Sequence, residues 1–195
     1  MESTYIKRVK KSVTQIEYKK LMNFVRGDED IKSFNQKRFL KIFSLLFYSG
    51  MRVNEITQIK YSHIAEIIQS SETIIISHKT KRERVLYFSD TAIKEIKKYF
   101  TYEESELNNY CITSWGNPQK TFHEVSLIQL VNKYMKSILG DNFTSHSFRQ
   151  GLISEMGSKN INPRVIQSYI GHRNVSTTLN YIKPTSSDVK NSLVR

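Results

Sequence analysis

The chain has 195 residues and a formal charge of +12, from 30 Lys plus Arg against 18 Asp plus Glu, which suits one substantial hydrophobic core and a polyanionic partner, nucleic acid by default. A hydrophobic content of 38% excludes wholesale disorder. The lone Cys111 excludes an intrachain disulfide, and the absence of an apolar run near ~20 residues argues against a membrane span. The polar start MESTYIKRVKKSV lacks the apolar stretch of a secretory signal, so a cytoplasmic, reduced setting is expected. Charge alone leaves an enzyme and a binding module equally open.

Residues 1–12 are polar and basic and carry no period; they read as an arm able to touch DNA phosphates. Thr14 with Glu17 three residues on forms a capping box, opening a helix that runs to Gly27, which can close it in the left-handed conformation. A second helix spans about Asn35 to Ser49, its core face set by Phe39, Ile42, Phe43, Leu46 and Phe47, and Gly50 ends it. Arg52 then stands at the start of a short third helix, where unpaired N–H groups favour an anion, and Glu55 lies within pairing distance on the same face. Three β-branched or aromatic runs follow: Ile64 to Ile68, Thr73 to Ser77 and Arg84 to Phe88. They predict a small three-stranded antiparallel sheet on one side of a mainly helical α+β domain. Between the last two runs lies a tip, His78 to Arg84, carrying four cations in seven residues: Lys79, Lys81, Arg82 and Arg84. Such a tip reads as a phosphate-gripping loop, or as one in which a lysine serves as proton donor.

Helices resume at Ser89, with Ala92, Ile93, Ile96 and Phe100 facing inward. The segment from Thr101 to Gln119 shows no period and reads as a long surface connection. Thr121 with Glu124 predicts a second capping box, ahead of a helix burying Leu127, Ile128, Val131, Met135 and Ile138 and stopped by Gly140. A helix from His146 to Met156 ends at Gly157, the next opens on Asn162-Pro163 and ends at Ile170-Gly171, and a short one carries Ser176 to Tyr181. After Pro184 a tail has Val189, Leu193 and Val194 at helical spacing, suited to docking on this subunit or a neighbour.

Six side chains carry candidate chemistry: Arg52, Lys79, His146, Arg149, His172 and Tyr181. Two arginine forks can hold two oxygens of one phosphate. A tyrosine hydroxyl can attack phosphorus and retain the strand end as an ester. A lysine on a mobile tip can protonate the leaving oxygen, and a histidine can move a proton or bond the developing charge. No acidic cluster or Cys/His spacing suited to metal is present, so a two-metal nuclease is not expected, nor any cofactor.

In order and spacing these residues resemble the catalytic domain of the tyrosine recombinases, the phage integrase family, from about Val13 to Lys183. Gly50-Met51-Arg52-Val53-Asn54-Glu55 matches the motif of the family's first arginine, and His146-Ser147-Phe148-Arg149 matches its H-x-x-R box. Ile170-Gly171-His172 followed by Thr177, Thr178 and Tyr181 matches its last block. Alignment on Glu83-Arg84 places the family's hairpin lysine at Lys79, with Lys81 and Arg82 as its nearest rivals. Gln150 and Gly151 depart from the His-Ser or His-Thr that many members carry after the box, which puts local packing in question.

The resemblance implies site-specific cleavage and rejoining of double-stranded DNA through a 3′-phosphotyrosyl intermediate, with neither metal nor nucleotide cofactor. Tyr181 would be the nucleophile, and Arg52 and Arg149 the transition-state clamp. Lys79 would be the general acid, His146 a proton aid and His172 a donor to a phosphate oxygen, with Glu55 holding them from behind. Lys81, Arg82, Arg84 and Arg173 are expected to contact DNA. The active form would be a homotetramer on DNA, assembled from a monomer in solution. Most relatives carry an additional N-terminal helical domain, so the chain reads either as a minimal recombinase or as a fragment. The alternatives are a type IB topoisomerase-like relaxing enzyme, or a DNA-binding protein of the same fold without turnover.

Overall fold

Thr14 opens the first helix as the sequence predicts: its hydroxyl accepts from the Ile16 N–H at 3.2 Å, and the Glu17 carboxylate accepts from the Thr14 N–H at 2.9 Å. The computed structural model describes residues 11–77, 81–114 and 117–182. Helix α1 (Gln15–Gly27) leaves through Asp28 in an extended conformation, so Gly27 is not the left-handed stop expected of it. Helix α2 (Ser33–Ser49) does end that way, at Gly50 with φ of 60°. The short helix α3 (Val53–Ile56) follows with Arg52 in the capping position.

The expected three-stranded sheet is corrected to two separate two-stranded ones. The run Ile64 to Ile68 belongs to α4 (Tyr61–Ser70), which buries Ile64 and Ile67. A short apolar run fits a helix segment as well as a buried strand, and the packing of α4 decides against the β propensity of isoleucine. Strands β1 (Glu72–Ile76) and β2 (Glu83–Tyr87) pair antiparallel, with Ile74 opposite Val85. After α5 (Asp90–Tyr99), capped by Ser89, the stretch expected as surface connection instead holds structure. A 3-10 turn (Glu104–Glu106) leads to β3 (Thr113–Ser114), paired antiparallel with β4 (Asn117–Thr121), and Cys111 and Ile112 are buried in the core. The Thr121 hydroxyl donates to the Thr57 carbonyl at 2.7 Å, joining this hairpin to the end of α3 rather than capping α6 (Glu124–Leu139), whose capping position is His123.

Helices α7 (His146–Ser158), α8 (Pro163–Ile170) and α9 (Val175–Leu179) complete the described chain, and Asn162 caps α8 as expected. Two hydrophobic clusters form. The larger gathers α1, α2, α4, α5, α6 and the β1–β2 sheet, and it includes Phe148. The smaller is built on Ile153, Ile166 and Ile170, with Tyr181 packed against it. Helix α7 therefore spans both: Phe148 enters one cluster and Ile153 the other, with Arg149 between them. Among the described residues no helix is long and apolar enough to cross a membrane.

The departure at Gly151 has a packing cause. A Cβ there would lie 2.1 Å from the Val13 carbonyl oxygen, and the Val13 N–H bonds to the Ser147 carbonyl at 2.9 Å. The segment leading into α1 thus lies directly on α7, and only a residue without a side chain admits it.

Candidate active site

Arg52 and Arg149, 97 positions apart in the chain, line one cavity of about 240 Å³ together with Ser145, His146 and Ile128. Arg52 gets there from the break after α2, because the left-handed turn at Gly50 swings the chain into α3. Its backbone N–H donates to Glu55 Oε2 at 2.9 Å and its guanidinium to Glu55 Oε1 at 3.0 Å, the pairing that the three-residue spacing predicts. His146 opens α7, and Arg149 stands one turn later on the same side. Ser145, just before, is held by its N–H bond to Asn132 of α6 at 2.7 Å.

Arg149 is 1% exposed, the largest fully buried side chain among the described residues. Its two terminal nitrogens donate to backbone carbonyls, Gly50 at 3.0 Å and Ile170, so it ties the end of α2 to the end of α8. Its Nε is buried without a hydrogen-bond partner. Burial, followed by the repulsion of Arg52 and Arg84, pushes the guanidinium down to about 9, which leaves it charged at neutral pH.

The structure moves Arg84 away from its expected place on the basic tip. It is 7% exposed and turned inward, donating to Glu55 Oε2 at 2.8 Å and to the carbonyls of Tyr169 and Ile170 at 3.2 and 3.1 Å. Alternation along β2 points it opposite to its neighbours Glu83 and Val85 and into the domain. Glu55, fully buried, therefore accepts from two guanidinium groups, and Arg149 lies close enough to feel all three charges. Three cations around one carboxylate leave a positive excess in a dry setting, which suits an oxyanion.

His172 follows the left-handed Gly171 (φ of 72°), where a Cβ would press on Arg84 Cδ at 3.2 Å. Its Nδ1 lies 2.9 Å from the buried Thr178 hydroxyl. Burial first, then Arg149, Arg52, His146 and Arg84, push its pKa down to about 4, so the ring is neutral at pH 7. Tyr181 comes just beyond α9 rather than within it. Its ring centroid is 6.5 Å from that of His172, and its backbone is anchored to Thr178 and, through its carbonyl, to the Ser154 hydroxyl.

Of the remaining expected residues, Lys81, Arg82 and Arg173 are exposed, and Lys81 adopts a φ of 55°. Lys79 lies outside the described residues. Sequence reasoning missed Gln58, whose side chain bonds both the N–H and the carbonyl of Ile76, each at 2.9 Å. It fastens the edge of β1, and with it the root of the basic tip, to the segment that follows Arg52. Nothing in the sequence marks this glutamine, since side-chain bonding to a strand edge leaves no periodic signal.

The sequence matches the phage integrase family over residues 11–187. It is 27% identical over 188 residues to tyrosine recombinase XerA of Pyrococcus horikoshii, covering 96% of this chain and 61% of that protein. It is also 27% identical over 185 residues to the TnP I resolvase of Bacillus thuringiensis, covering 93% and 60%. The chain thus spans about three fifths of the length of these relatives. Among solved structures, XerA recombinase shares the fold with a TM-score of 0.68 at 21% identity, over 94% of this chain and 64% of that one. The Tn1549 transposon integrase in complex with transposon right end DNA gives 0.71 at 16% identity, over 98% and 67%. With nearly its whole length inside the family match, this chain belongs to the phage integrase family.

Proposed function

We propose that the chain is the catalytic part of a site-specific DNA recombinase that cuts and rejoins strands through a 3′-phosphotyrosyl intermediate. The observation that carries this reading is the shared cavity of Arg52, His146 and Arg149, whose charges reach His172, itself 6.5 Å ring to ring from Tyr181. In this reading a scissile phosphate enters the cavity. The forks of Arg52 and Arg149 take its non-bridging oxygens and stabilise the charge that develops at phosphorus. The Tyr181 hydroxyl attacks in line as its proton passes to a neighbouring base, with His146 placed to assist. The phosphorus–oxygen bond to the 5′ side breaks, and Lys79 gives the leaving oxygen a proton, so that a 5′-hydroxyl departs. Attack by that hydroxyl, or by one from a second duplex, reverses the step. The chain supplies these groups from its own residues, and the reading needs neither metal nor nucleotide.

His172 acts here as a neutral donor. A Thr178 hydroxyl directed at Nδ1 puts the ring proton on Nε2, free to bond a phosphate oxygen. Residues 13–183 are read as the catalytic unit; the expected basic arm, up to residue 10, and the expected docking tail, residues 184–195, lie outside the described residues. Lys81, Arg82 and Arg173 meet DNA, whereas Arg84 braces Glu55. Homologues solved with DNA, the Tn1549 integrase and XerH among them, support duplex DNA as the partner. Strand exchange between two sites would bring four protomers together on DNA.

A suicide DNA site that traps cleavage tests the proposal. A covalent adduct is expected with the native chain and none with Tyr181→Phe. An adduct of equal yield in that variant would assign the nucleophile elsewhere, and relaxation of one duplex without exchange between two would favour a topoisomerase.

A further inference from the structure

A second cavity, about 190 Å³, opens at the other end of α2 and is lined by Lys37, Arg38, Lys41, Tyr61, Glu106 and Tyr110, among others. Lys41 stands nine positions before Gly50, about 13 Å along the helix axis from the end of α2. Three of the residues lining it are cations and one, Glu106, is an acid. We propose that this cavity is a second anion site, which takes a phosphate group against Arg38 and Lys41.

Arg38 is built into the wall. It is buried, donates to Asn35 Oδ1 at 3.0 Å and to the Thr113 carbonyl at 3.1 Å, and is sandwiched between Phe34 and Phe122 at 4.4 and 4.8 Å. These contacts use two of its five donors and fix the plane of the guanidinium. Lys41 is held as firmly: Nζ donates to the Tyr61 hydroxyl at 2.7 Å and lies over the rings of Tyr61 and Phe100. Burial drives its pKa below the usual lysine value, against the smaller pull of Cys111 and Glu106. Two pre-placed cations with spare donors, in a wall that includes the rings of Phe34, Tyr61 and Tyr110, lower the cost of ordering an anion.

The volume decides the size of the ligand. At roughly 30 Å³ of liquid volume per water, the cavity holds about six waters, which is room for a phosphate and part of a sugar. The phosphate can belong to the DNA backbone. It can equally belong to a free nucleotide. Tyr110, itself under the Lys60 ammonium at 5.3 Å, offers a ring at the cavity for an attached base in either case.

The test follows the Lys41 and Tyr61 side-chain signals by nuclear magnetic resonance in the full chain, during titration with inorganic phosphate, a deoxynucleoside monophosphate and duplex DNA. Saturable shifts with phosphate are expected, with affinity about tenfold weaker in Lys41→Met and retained in Lys41→Arg; tenfold is ~1.4 kcal/mol. If duplex DNA moves the same signals and Lys41→Met weakens its binding, the anion is the DNA backbone. If only the mononucleotide does so, it is a free nucleotide. Unmoved signals with all three probes, or equal phosphate affinity in Lys41→Met, would overturn the proposal. Should Lys41→Met fail to fold, the native titration and Lys41→Arg still decide it.

Discussion

The Glu55 carboxylate accepts from the Arg84 guanidinium at 2.8 Å, although the two residues stand 29 positions apart and belong to different elements. This contact is the hinge pin between the segment bearing Arg52 and the strand that carries the basic tip. It is fully desolvated on the Glu55 side, where removal of one partner leaves an uncompensated charge.

Arg84→Ala should therefore lower unfolding stability by about 3 kcal/mol or more. Because Arg84 faces inward, the salt dependence of DNA binding should keep its slope in this variant. Lys81→Ala, Arg82→Ala and Arg173→Ala should each reduce that slope by about one at little cost in stability. Denaturant titration and binding isotherms across salt concentrations check both halves. A reduced slope with unchanged stability for Arg84→Ala would put its side chain on DNA after all.

Arg149→Ala should abolish covalent adduct formation while DNA affinity stays within a few fold, since phosphate contacts elsewhere dominate binding. A gel shift beside the suicide-site assay reads both. A variant that still forms adduct at the native rate would take the arginine clamp out of the chemistry.

Gly151→Ala should destabilise the fold by about 3 kcal/mol, at the upper end for an overpacked core, because the clash is with backbone that cannot rotate aside. Thermal unfolding measures it. An unchanged melting temperature would mean that the segment around Val13 does not pack on α7.

His172 provides a pH test. Its folded pKa, about 4, lies below the ordinary 6.5, so the unfolded chain binds more protons between those values. The resulting stability is complete above about pH 6.5 and declines as pH falls toward 4. His172→Gln should flatten that part of the stability profile. The His172 imidazole signals of the native chain should show no titration near pH 6.5, and a midpoint there would contradict the burial and cationic crowding described.

Lys79→Ala should lose cleavage of ordinary DNA and recover it on a substrate with a 5′-bridging sulfur, a leaving group that needs no proton. Rescue of Lys81→Ala instead would move the general acid two positions along the tip.

The sequence by itself determined most of the helices and put forward the candidate site residues. Thr14 and Asn162 announce their helices because capping is a local bond between near neighbours, and the pairing of Arg52 with Glu55 needs only a single turn. His146 and Arg149 likewise share a helix face whatever surrounds them. Tertiary structure decided everything that depends on what meets an element from outside. It made Ile64 to Ile68 a helix, because α4 buries its isoleucines on one side. It turned Arg84 from an expected DNA contact into the partner of a buried carboxylate, and it required glycine at position 151 because a distant backbone lies there. It also brought Arg52 and Arg149 to one cavity, through carbonyls at the ends of α2 and α8 that no spacing in the chain encodes. Local bonds are legible because they join residues a few positions apart. Burial and long-range charge are not, because they belong to surfaces that exist only once the chain has folded.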